Sequence, residues 1–168
     1  MVFEAKHETY RNIVASYCEV LEASNETPAK ALLAIRDALI TLYLASLDLP
    51  IVPNPTDEDL PTDVSSEEFS EIKKKIDAYT RDDYFWICYH PFQSPPEKPL
   101  CVSLSDSLAD IWRDLKPGLL ALAEDEQRFA ANVFWEWKFS FDSHWGDHAA
   151  DSIWAIHKLL RDSPHGQE

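Results

Sequence analysis

The chain has 168 residues, 45% of them hydrophobic and 12% aromatic, so one domain with a substantial core is available without disulfides or a structural metal. Its formal charge is −15, from 15 Lys and Arg against 30 Asp and Glu. That balance argues against surfaces for duplex nucleic acid or anionic membrane, which need clustered cations; it leaves a basic protein as a partner, beside the plainer reading that the charge only keeps the chain in solution.

The predicted elements follow in chain order. Ile13, Val14, Tyr17, Cys18 and Leu21 repeat with the helical period and predict a helix over residues 8–23. Thr27 as N-cap and Pro28 at the first helical position open a second helix, running to about Leu47. It is apolar nearly all round, which predicts a central place in the fold. Prolines at 50, 53, 55 and 61 then mark a connecting loop. From Asp57 to Glu71 this stretch holds seven acidic residues and no basic one. Ser65 and Glu68 have the spacing of a capping box for a third helix reaching about Tyr79, with Lys73, Lys74 and Lys75 near its C-terminal end.

The aromatic run Tyr84 to Tyr89 fits a buried strand or a short helix, and no second run is evident to pair with it. A second proline-rich loop follows to Pro99. Ser103 or Ser105 caps a fourth helix, and Pro117-Gly118 is expected to break or kink it. A last helical stretch begins at Asp125 and reaches Arg161, either continuous or kinked near Asp142, Ser143 or Gly146. Together these elements predict an all-α fold. It is an up-and-down helical bundle of about five to six helices with two proline-rich loops, one domain over 1–168 with its ordered core at about 7–161. Five of the six tryptophans lie from Trp112 onward, where the densest packing is expected.

Cys18, Cys88 and Cys101 show no Cys-x-x-Cys spacing, which argues against a disulfide framework and a thiolate zinc site. Each is expected to be a small buried hydrophobe. The first eight residues carry no apolar signal core, and the run Ala38 to Leu47 is too short to span a bilayer. A cytoplasmic location is expected.

The chemically suggestive segment is Trp135 to Asp151. His144 and His148 are four apart and Asp151 three further on, so they share a helical face, which Glu136 extends upstream if the helix is unbroken. Two imidazoles with carboxylates form a common ligand set, so His144, His148, Asp151 and Glu136 are candidate ligands for a divalent metal, the one cofactor these residues suggest. The plainer reading makes the histidines boundary residues bonded to nearby carboxylates. Asp106, Asp110 and Asp114 are also four apart, but lie opposite the Leu108, Trp112, Leu115 stripe, which argues for solvent. Ser103 to Ser107 reads as helix-start chemistry, because no Gly-x-Ser-x-Gly context surrounds it. No residue is assigned a catalytic role, and no phosphate-cradling glycine loop is present.

Two segments, Ser103-Leu-Ser-Asp-Ser-Leu-Ala-Asp-Ile-Trp-Arg-Asp-Leu-Lys116 and Trp135-x-Trp-x-Phe-x-Phe-x-x-His144-Trp-Gly-x-His148, carry a resemblance. Together they resemble a family of bacterial helical domains of unknown function, over roughly residues 7–161. The resemblance implies a cytoplasmic bacterial helical bundle and no particular activity. It marks Asp106, Asp110, Arg113 and Trp145, beside His144 and His148, as matched positions that would line a groove or interaction surface if the two segments pack together. The functions consistent with the residues are a non-enzymatic accessory or interaction module with an acidic surface, a metal-binding and hydrolase-like bundle, and an acidic mimic of nucleic acid.

Overall fold

A computed structural model describes residues 2–23, 27–50, 52, 56, 58–80, 83–95 and 97–162, with side chains of the first helix from Lys6 onward. The elements are α1 (Val2–Glu22), α2 (Pro28–Leu47), α3 (Ser66–Asp77), β1 (Tyr84–Ile87), β2 (Leu100–Ser103), α4 (Leu104–Ser140), a π-helical turn (Phe141–Trp145) and α5 (Gly146–Asp162). The fold is an all-α bundle with one small hairpin. Among the described residues the helical stretches number four, against the five to six expected, because α4 runs through the π turn into α5 with no coil between and only one residue, Asp125, divides α4.

Local chemistry sets the helix starts. Thr27 accepts the Lys30 backbone N–H at the head of α2, and Ser65 and Glu68 exchange both bonds of a capping box on α3. Ser103 accepts the Asp106 N–H, while Asp83 accepts the Ser105 N–H at 2.7 Å, so a carboxylate sits at the positive end of α4.

Inside α4 the backbone leaves helical values at one residue, Asp125 (φ −153°, ψ 93°), whose carboxylate then caps the Arg128 N–H at 3.1 Å. The helix turns back on itself there. Leu115 and Trp137 would stand about 33 Å apart along one straight helix, yet the Trp137 indole N–H reaches the Leu115 carbonyl at 3.1 Å. α4 is thus a helical hairpin, its first limb running to Glu124 and its second beginning beyond Asp125. Gly118 permits the closure, because a Cβ there would stand 2.6 Å from Trp137 Nε1 and 2.8 Å from Val133 Cγ1. Pro117 does not break the helix as expected; the second limb packs on this turn and holds it.

The buried apolar residues of α1, α2, α3, α4 and α5 join in one cluster. Tyr17 is fully buried and donates to the Leu108 carbonyl at 3.0 Å, tying α1 to the first limb. Trp112, Trp137 and Trp145 are buried, whereas Trp154 is half exposed.

Three expectations are corrected. α2 is not central: Leu33, Ile40, Leu44 and Leu47 are exposed, because among the described elements it packs mainly on α1 and α5. Tyr84–Ile87 does find a strand partner, antiparallel β2, with Trp86 opposite Cys101. β2 is only four residues long, too short to show a period, and the ladder leaves Tyr84 and Trp86 exposed. Of the cysteines only Cys18 is buried, its thiol pushed up to about 12 by burial, while Cys88 and Cys101 are exposed. No helix among the described residues is long and apolar enough to cross a membrane.

Candidate functional site

The hairpin carries α5 back along the first limb of α4. This covers a face that the sequence assigns to solvent. Asp110 and Asp114 keep only 14% and 19% of their side-chain surface exposed. Asp106, nearer the start of α4, stays open at 46% and pairs with Lys73 at 2.6 Å.

Across from these carboxylates the helix makes its π turn. The Gly146 N–H bonds back to the Phe141 carbonyl, a span of five residues. A Cβ at Gly146 would collide with that same carbonyl oxygen, so glycine is the residue this turn requires. The extra residue rotates everything after it by about 100° relative to an unbroken helix. The straight stripe from Glu136 to Asp151 is therefore interrupted. Trp145 turns inward, fully buried, its indole N–H on Ser140 Oγ at 3.1 Å, and lines no groove.

Asp110, His144 and His148 meet, each offering one ligand atom, with these atoms all within 4.8 Å of one another. The two imidazole rings stand edge to face, 4.9 Å between centroids. His144 Nδ1 lies 2.8 Å from Asp114 Oδ2. Arg113 donates to Asp110 Oδ1 at 2.5 Å and lays its guanidinium over the Phe69 ring, 4.7 Å from the centroid. Burial raises the Asp110 carboxyl above its usual range, against the pull of Arg113; Asp106 raises it further, while His148 and His144 lower it. Asp151 and Glu136 are not in this cluster. Burial and then Asp147 raise the Asp151 carboxyl, with His148 opposing. Glu136 stands on the wall of an adjoining groove, its carboxyl raised by partial burial and by Asp114.

That groove, of about 800 Å³, opens between the acidic loop and the hairpin. Glu58, Asp59, Asp63, Asp114 and Glu136 line it with Arg113 and His144. Trp135 and Phe139 also line it, their rings stacked 5.0 Å apart and nearly parallel. Asn132 holds the loop in place, a role that sequence reading misses. Its Oδ1 accepts the Thr56 N–H at 2.9 Å, and its Nδ2 donates to the carbonyls of Thr56 and Glu58 at 3.1 and 2.7 Å. The signal was only a polar residue in an apolar stretch, Ala130-Ala131-Asn132-Val133-Phe134.

Fold and site together define a class: an acidic helical bundle with a polar seam inside its hairpin and a groove beside it. Within that class, the family model for a domain of unknown function, DUF5063, matches residues 3–162, and the chain belongs to this family. Among solved structures it is similar to protein BF1032 from Bacteroides fragilis, with a TM-score of 0.76 and 19% identity over 92% of this chain and 94% of that one. That likeness shows the fold alone. No curated protein matches.

Proposed function

We propose that the domain is a non-enzymatic interaction module whose groove receives a basic segment of a partner protein. One observation carries this reading: five carboxylates and a stacked aromatic pair line a single groove on a chain of charge −15. Carboxylates supply Coulomb attraction and orientation to a Lys or Arg side chain, and an aromatic face adds a cation–π contact worth about 0.5–1 kcal/mol at an exposed site. Arg113, the cation on the wall, is already committed to Asp110. The cytoplasm is the proposed setting, since two exposed thiols suit a reducing compartment.

The test is titration with an oligolysine peptide, followed by calorimetry at low and moderate salt. Neutralising Glu58, Asp63 and Glu136 to their amides should weaken binding about tenfold or more. Neutralising Glu67, Glu71 and Glu124, which lie outside the groove, should change it far less. Equal losses in the two sets would mean that net charge alone attracts the peptide and would remove the groove from the account.

A further inference from the structure

We infer that Asp110, His144 and His148 form a binding site for a first-row divalent cation of the zinc class, at the end of the groove where His144 lies. The inference goes beyond partner binding and stands without it.

The ligand atoms come from both limbs of the fold and already lie within 4.8 Å of one another. Around a zinc ion, with bonds of about 2.0–2.2 Å, ligand atoms stand about 3.3 Å apart. Drawing any pair together by at most about 1.5 Å therefore completes the set. His144 is exposed and Asp110 and His148 are half-buried, so none of the three is locked inside the core.

The surroundings are those of a ligand set. Asp114 bonds His144 Nδ1, which fixes the ring and leaves Nε2 as the nitrogen for an ion. The His148 side chain has no hydrogen bond among the described residues. Asp110 gives Oδ1 to Arg113, and among the described residues Oδ2 has no partner, so the carboxylate keeps an oxygen for coordination. Lys73 neutralises Asp106, leaving Asp110 and Asp114 against Arg113, a net charge of one negative before any ion enters. Two imidazoles and one carboxylate suit zinc or iron; magnesium and calcium prefer all-oxygen sets. Three protein ligands leave at least one open position, for water or for a group of the bound partner. The π turn that carries His144 is a local irregularity of a type often found at functional sites.

The experiment is calorimetric titration of the untagged, chelator-treated chain with Zn²⁺ near neutral pH. One ion per chain is expected. His148→Ala and Asp110→Asn should each weaken binding by more than about 100-fold, and Asp114→Asn, which only orients His144, by about 10–100-fold. Asp151→Asn, outside the cluster, should bind as the wild type does. Circular dichroism checks the fold of each variant, and the near-isosteric Asp110→Asn keeps the test decisive if His148→Ala fails to fold. Absence of saturable binding by the wild type, or wild-type affinity in Asp110→Asn, would overturn the inference.

Discussion

Near its turn the hairpin closes over Gly118, where Trp137 and Val133 press against bare backbone. Two turns away the same limbs face each other across Asp110, Asp114, His144 and His148. The first region is dry and close-packed; the second is polar, part-exposed and short of hydrogen-bond partners. The contrast separates two tasks. The dry end fixes the register of the limbs, and that register brings side chains 30 to 38 residues apart in sequence together at the polar end. Substitutions at the dry end should therefore reduce stability, and those at the polar end should change binding with little loss of fold.

The largest expected effect is at Trp137. Removing its side chain with Trp137→Ala leaves a cavity at the limb contact, and chemical denaturation should show a loss of about 3–5 kcal/mol. Gly118→Val forces volume into the same contact and should cost about 1–3 kcal/mol in the same measurement. If both variants were as stable as the wild type, the dry end would not be what holds the hairpin shut.

Asn132 stands beside the dry end, one residue before Val133 on the second limb, and anchors the acidic loop. Asn132→Ala strands the Thr56 and Glu58 backbone groups and should cost about 1–3 kcal/mol. It should also weaken oligolysine binding, because the acidic loop loses its anchor. Undiminished peptide affinity in a destabilised variant would separate the loop from the groove's function.

The smallest stability effect is at Asp110, and pH sets its size. Its carboxyl is raised in the fold, by burial first, so between the ordinary and raised values the native state holds more proton than the unfolded chain. The contribution of Asp110 to stability thus falls as pH rises through that window. Asp110→Asn, which copies the protonated form, should melt slightly above the metal-free wild type at neutral pH. The gap should close as pH falls below the ordinary aspartate value of about 3.9. A gap that widened in acid would contradict the assignment of burial as the dominant influence.

Much of the helical framework is legible in the sequence because caps are local. Thr27-Pro28, Ser65 with Glu68, Ser103 and Asp125 each announce a helix start within four residues of chain. β2 is not legible, since four residues bounded by a proline-rich loop show no alternation. The exposed stripe on α2 is not legible either, because hydrophobicity alone does not say which neighbours arrive. His144 and His148 stand out by spacing. Asp110 as their companion depends on the hairpin, which covers a helix face that looks solvent-bound when α4 is read alone. The π turn leaves one trace in the sequence, Gly146, and it interrupts the four-residue stripe upstream of His144, where Glu136 would have joined; Asp151, in regular helix three residues after His148, stays outside the cluster.

The most direct test of this division of the seam is crystallographic. Crystals grown with Zn²⁺ and measured above the zinc absorption edge should show one strong anomalous peak between Asp110, His144 and His148, with the Gly118 and Trp137 contact unchanged. A zinc peak on other residues, such as His7 or His157, with the three side chains unmoved, would contradict the account.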